Sequence, residues 1–336
     1  VALAVDANII VVSDRVTLAP GYAVSSTYMA PGGVYLGVWG LGPTEAAVYE
    51  ATLAAAPSMV IDATVTDTAT GTHQRLTLQA STAAVQANPG SYYWAGGVLY
   101  VRTADSRAPD ASLRALRAGV VNGHVNTASV DFYMEGLSFE GGSGAGTGRA
   151  LYMQAFTSGT IYNGKATHSS GEGFSLTSTG AAADHTLHLI DCQALDNDGD
   201  GFQYTATGAG ATIRALELGC TAKASSGAGT DQGSSAHFTA GNTSVSIVRV
   251  NGAFISNKTQ GFADVGGTTT WATGCSFTDE AIGAYVGNTG TAWLQGCTFD
   301  GCTVDLDPFD AGATINVSNS TYRTTAGSGT VQGYAP

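Results

Sequence analysis

Three polar stretches hold the residues of this chain that could do chemistry. The most polar is Asp196-Asn197-Asp198-Gly199-Asp200-Gly201. Acidic oxygens at alternate positions, from Asp196, Asp198 and Asp200, match the first half of a D-x-D-x-D-G calcium loop, so Ca²⁺ is the cofactor to look for. Twelve residues from Asp196 end at Thr207, so the closing Glu of an EF-hand is absent. The same residues also suit a plain chain corner, where Asp and Asn side chains cap backbone groups. The second stretch runs from Lys165 through His168 to Glu172. If HSSGEGF and DNDGDGF stack on each other, Asp196 lies near His168 and Asp200 near Glu172, about 5 Å apart. Carboxylates that close could share a proton, or act as acid and base in glycoside cleavage. Lys165 or His168 could instead abstract the proton α to a uronate carboxyl. Arg214 and Lys223, one coil further, would then steady the enolate. The third stretch is the Gly/Ser-rich segment from Lys223 to Ala236, with Asp231, Gln232 and His237 at its far end. Long loops on a rigid scaffold often carry ligand contacts. The catalytic candidates are thus Lys165, His168, Glu172, Asp196 and Asp200. Those for substrate binding are Arg214, Lys223, Asp231 and His237. Turn residues that only solvate a corner remain the competing reading for all of them.

A repeat must position these residues. Segments built on a Gly, or a Gly substitute, followed by a small or thiol residue recur in the second half: MEGLSF, YNGKATHS, LIDCQALD, ELGCTAKA, RVNGAFIS, ATGCSFTD, LQGCTFDG and VSNSTYRT. The residue after the Gly falls at Leu137, Lys165, Cys192, Cys220, Ala253, Cys275, Cys297 and Ser320. The spacings are 28, 27, 28, 33, 22, 22 and 23. A β-rich run precedes most of these segments, and another short strand follows in EGFSL, DGFQY, QGFAD and IGAYV. Units of this length with two or three short strands and no helical period predict a parallel β-helix. The Cys192–Cys220–Ala253–Cys275–Cys297 column then reads as an internal ladder of small groups. Trp271 and Trp293, 22 residues apart, stack one coil above the other, inside or outside. Asn-x-Ser/Thr sequons occur at Asn242, Asn257, Asn316 and Asn319, at a frequency expected of a Ser/Thr-rich chain.

Composition narrows the classes. The chain has 336 residues, 46 of them Gly, and 13 Lys/Arg against 26 Asp/Glu give a net charge of −13. No Lys/Arg cluster offers a nucleic-acid footprint. No apolar run reaches the roughly 18 residues of a membrane helix. Five Cys, an odd number, make a poor disulfide framework. The N-terminal VALAVDANIIVVSDR lacks a signal peptide's basic and long apolar regions, which predicts folding in a cytoplasm.

Residues 1–125 do not show the repeat and are expected to form an irregular, β-rich cap. Within them SYYW-AGG-VLYVR predicts a hairpin, and EAAVYEATLAAAP a short helix ended by Pro57. The array is expected over 126–325, and 326–336 as a loose tail.

The array resembles the right-handed parallel β-helix proteins of the pectate-lyase-like superfamily. GSYYWAGGVLYVR is similar to a segment often found just before such a helix, and SSGEGF and DNDGDGF resemble its turns. The resemblance covers about two thirds of the chain and carries architecture rather than activity. It implies a polysaccharide partner in a groove along one exposed sheet. The expected fold is therefore an all-β, right-handed parallel β-helix solenoid with an N-terminal β cap. The expected function is recognition, with or without depolymerisation, of a bacterial surface glycan by a phage or virion-like spike. The spike reading implies a virion-surface location and association as a homotrimer or with other virion proteins. A secreted polysaccharide lyase or glycoside hydrolase, and a purely structural solenoid, are the alternatives.

Overall fold

A computed structural model describes residues 47–110, 112–117, 123–126, 131–142, 148–180, 183–224, 232–238 and 244–335, with the backbone of five short strands before residue 42. Among the described residues the architecture is nearly all-β. Three long parallel sheets of ten, eight and eight stacked strands form a β-helix-like solenoid. Each coil contributes in turn to a long-strand sheet, a short-strand sheet and a third sheet, as in Asp184–Ile190, Gln193–Leu195 and Phe202–Ala206. The next coil repeats the order in register: Ile190 pairs with Leu218, and Leu195 with Lys223.

The short strands stay short because both flanking corners turn in the left-handed region. Asn163, Asp191, Gly219, Asn251, Gly274, Gly296 and Asn319 precede the ladder position, and His168, Asp196, Ala224, Ser256, Asp279 and Gly301 follow the strand. All have φ between 50° and 71°. Gly, Asn and Asp accept that conformation at least cost. The true repeat mark is thus one left-handed residue followed by one small inward residue. This corrects the expected ladder at two coils. Lys165 pairs with Ser138 and Gln193, and Ala253 with Thr221 and Ser276, so both lie one residue past the column. Gly164 and Gly252 occupy it instead, where an added Cβ would lie 3.5 Å from Cys192 Sγ and Cys275 Sγ respectively. The slip arose because Asn163 and Asn251, not the glycines after them, make the left-handed turn.

The interior is a set of stacks. Cys192, Cys220, Cys275 and Cys297 are buried free thiols, and Cys192 Sγ donates to the Ile161 carbonyl at 3.4 Å. Phe254, Phe277 and Phe299 stack at 5.0 and 4.6 Å. Each such buried ring contributes roughly 1.5–3 kcal/mol of apolar transfer. A second, polar ladder lies just past the corners. Ser169 and Asn197 are joined at 2.9 Å, Asn257 and Glu280 at 2.9 Å, and Cys302 follows one coil on. Asn257 and Asn316 are buried and donate to backbone carbonyls of neighbouring coils, so neither sequon presents its amide to solvent.

Residues before 126 depart from the expected layout. Ile9–Val12 pairs in parallel with Asp131–Glu135, and Thr27–Met29 with Ser138–Glu140. The chain thus joins the solenoid, leaves it for a β module, and returns. The module contains the hairpin Ser91–Ala95/Val98–Arg102, closed by Gly96 and Gly97 with φ of 59° and 83°. The described part of EAAVYEATLAAAP, residues 47–57, is not helical. Tyr49–Thr52 pairs antiparallel with Val98–Val101, and Pro57 opens the strand Pro57–Thr66. Val48, Ala51 and Leu53 are buried, and the pull of this hairpin edge overrides helix propensity. The α-helix among the described residues is Thr82–Ala87, capped by Ser81. The expected loose tail is instead partly a strand: Thr330–Gly333 pairs with the long-strand sheet at Thr314–Val317.

Candidate functional site

The module meets the solenoid at the corner that follows the short strands Ser138–Glu140 and Lys165–Thr167. Glu140 and Thr167 are outward neighbours in register, and the strand His73–Arg75 crosses over them. Period two sends His73 and Arg75 to the same side of that strand. His73 Nδ1 lies 2.6 Å from Glu140 Oε1, and Arg114 donates to Glu140 Oε2. His168 is fully buried behind them. Its Nδ1 is 3.4 Å from Glu140 Oε1, and its Nε2 is 2.9 Å from the His73 carbonyl and 3.3 Å from Asp196 Oδ2. The two imidazoles lie nearly parallel, 7° apart in plane, with centroids 6.4 Å apart. Arg75 completes the cluster, 2.5 Å from Asp198 Oδ1 and 3.9 Å from Asp196 Oδ1.

A cavity of about 240 Å³ opens beside this cluster. Thr66, Thr72, Ser138 and Thr167 line it with hydroxyls, and His73, Glu140, Lys165 and His168 with ionisable groups. The carboxylates around His168 differ. Burial alone would raise Glu140, but the hydrogen bond from His168, the charge of Arg114 and the hydrogen bond from His73 hold it at about 2. Burial raises Asp196 above its ordinary value, against the opposing charges of Arg75 and His168. One carboxylate is thus firmly ionised while the other is drawn toward the neutral form, on opposite nitrogens of one imidazole.

The structure brings together Lys165, His168 and, behind the ring, Asp196. Glu172 lies elsewhere. Arg149 Nε is 3.0 Å from its Oε2, and Gln203 Nε2 donates to its Oε1 at 3.0 Å. Gln203 Nε2 also lies 3.5 Å from Asp200 Oδ2, so one amide spans the two carboxylates. Asp200 is buried, accepting from Gln232 N at 3.1 Å and from Ser235 Oγ at 2.5 Å; burial raises it to about 7. The turn therefore does not gather its three aspartates. Asp196 and Asp198 face Arg75 while Asp200 turns into a buried hydrogen-bond set. Among the described residues no group of three or more His, Cys, Asp or Glu side chains is arranged to hold a metal ion. Arg214 sits on the long-strand sheet, paired with Asp184 at 2.6 Å. Lys223 is two strands beyond Thr167 on the same outward row. Asp231 lies outside the described residues. Of His237 only the backbone is described, paired with Thr205.

Sequence reasoning missed His73, Arg75, Arg114 and Glu140. The usable signal was local: HQR places His73 and Arg75 on one face of a strand, and such a face calls for an acidic surface. No family model matches the chain, and no curated protein or solved structure matches it either.

Proposed function

We propose that this chain recognises a polysaccharide, and that the cavity beside Glu140 and His168 holds one sugar unit of it. One observation carries the reading. Four hydroxyl side chains, a lysine, two histidines and an ionised carboxylate converge on a space of about 240 Å³. Saccharide hydroxyls need paired donors and acceptors of that kind, and Lys165 suits an acidic substituent. The stacked parallel sheets fit a right-handed parallel β-helix of the pectate-lyase-like type, with the N-terminal module packed on the corner that follows its short strands. In that setting the chain serves as a spike or fibre of a phage or similar virion, at the virion surface, alone or with partner subunits. The test is a binding screen on acidic and neutral bacterial glycans with the parent chain and with Lys165→Ala and His73→Ala. The expected result is a glycan whose affinity falls at least tenfold in both variants. Binding that both variants retain in full would remove the cavity from the reading.

A glycan-cleaving activity is a second reading, favoured by the opposed states of Glu140 and Asp196 across His168. Carboxylates pushed apart in this way often divide base and acid roles. Release of unsaturated uronide would assign a lyase, and new reducing ends without unsaturation a hydrolase. Neither product from any bound glycan would leave recognition alone.

A further inference from the structure

The module meets the solenoid through one side of a small sheet. Ile61 pairs with both Arg75 and Arg114, so these three project from the same side of the sheet formed by Pro57–Thr66, His73–Arg75 and Leu113–Arg117. Period two adds Met59 and His73 to that side. Arg75, Arg114 and His73 reach three carboxylates of the solenoid, Glu140, Asp196 and Asp198. The apolar share is small. Met59 and Ile61 form a cluster of their own, apart from the module core around Val60 and Leu99 and from the solenoid core. We propose that the module is a reversible lid, which lifts from the corner to admit a ligand to the cavity and docks again to close it.

Three observations support a lid. First, burial along the corner ends where the module ends. His168 and Asp196 are 0% and 7% exposed, whereas Ser256, Asp279 and Gly301, at the same corner of later coils, are exposed. The outward row of the short strands repeats the step. Glu140, Thr167 and Leu195 are buried, and Asp300, in register further along, is exposed. The module, not the solenoid's own packing, hides these side chains. Second, the ion pairs that hold it stay in reach of water. Arg75 and Asp198 keep 26% and 29% of their side-chain surface, and Arg114 keeps 22%. Salt screens such pairs, and a contact that is neither large nor apolar leaves the two units free to move. Third, Thr66, Gly71, Thr72 and His73 line the cavity from the module, and the solenoid supplies the rest of the lining. The cavity is complete only when the module is docked. A ligand that bridges both sides binds the docked state best and so stabilises it. That this ligand is a sugar unit rests on the function proposed above; the lid does not.

Pulse labelling of the full chain with diethyl pyrocarbonate, with no glycan present, tests the lid. The readout is modification of His168 relative to His188, which is half-buried on the long-strand sheet. In about 0.05 M NaCl, where screening is weak, His168 should be protected. Arg75→Glu combined with Arg114→Glu turns attraction into repulsion. Labelling of His168 tracks the lifted population and should rise about tenfold in that variant. Arg214→Glu, a reversal on another sheet, should leave His168 protected. Amide exchange in Thr269–Thr273 and Thr291–Gln295 should stay slow throughout, so that the lid lifts from an intact solenoid. A double variant with an intact solenoid and a protected His168 overturns the proposal. So does labelling of His168 that appears only when exchange in those two strands speeds up. Should the double variant not fold, the parent chain decides. Raising NaCl to about 1 M, where the Debye length is about 3 Å, should expose His168, and protection at both salt levels overturns the lid. Because the labelling needs no glycan, failure of the sugar reading would leave its outcome unchanged.

Discussion

Two ionic clusters in this molecule use the same side chains to different ends. Inside the solenoid, Arg249 is fully buried between the long-strand and third sheets. Its guanidinium donates to both Asp264 oxygens at 2.8 and 3.0 Å and to Ser234 Oγ at 2.9 Å, with the Phe262 ring 4.6 Å away. Glu217 Oε2 lies 3.6 Å from Arg249 Nε, and burial raises that carboxyl. At the corner, Glu140 is nearly as buried, but His73 and Lys165 border an open cavity. Pairing is tight in both places; access differs. An interior cluster with no opening fixes which strands stack, and a corner cluster beside a cavity can also meet a ligand.

The sharpest way to break the comparison is Arg249→Met. It leaves Asp264 and Glu217 buried without their cation, and the expected loss is about 3–5 kcal/mol in urea unfolding. A loss below about 1 kcal/mol would mean that the interior cluster is not held as described. Glu140→Gln should cost less, about 1.5–3 kcal/mol, because water can reach its partners from the cavity side. Lys165→Ala separates stability from binding. Unfolding should shift by no more than about 0.5 kcal/mol, while affinity for a bound glycan falls about tenfold, or 1.4 kcal/mol.

Acidity sharpens the contrast further. Burial raises Asp200 and Glu280 to about 7, from ordinary values of 3.8 and 4.5. The folded chain then holds protons that the unfolded chain would release. Their contribution is complete below about pH 4 and is lost as pH climbs toward 7. Glu140, held at about 2, acts oppositely: its contribution is present above its ordinary 4.5 and is lost as pH falls toward 2. The melting temperature should therefore be higher near pH 5 than near pH 8, and Asp200→Asn should flatten that difference. A melting temperature that rises steadily from pH 5 to pH 8 would contradict the buried neutral state of Asp200. The smallest effect belongs to Arg214→Ala. Its pair with Asp184 is 57% and 60% exposed, so thermal unfolding should change by less than about 0.5 kcal/mol.

Much of the solenoid was legible because a stacked coil repeats its constraints locally. Each corner needs a residue that tolerates positive φ, and each ladder position needs a small one, so Gly, Asn, Asp and Cys mark the period. The register at Gly164 and Gly252 was misread because Asn and Gly can both turn left-handed, and only strand pairing shows which one does. The inward Arg249 and Glu217 gave no sign of their place, since an alternating strand with one charged position reads as solvent-facing. Their burial depends on Asp264 and Ser234, supplied by another sheet.

The sequence by itself determined the repeat, the parallel β architecture and the proximity of His168 to Asp196, because residues a fixed coil apart must stack. Only the tertiary structure decided that His73, Arg75 and Arg114 cross from the module onto Glu140, Asp196 and Asp198. That contact joins residues with no common period, separated by 26 to 123 positions. It depends on how one irregular module packs against a regular array, which local propensity and spacing do not encode.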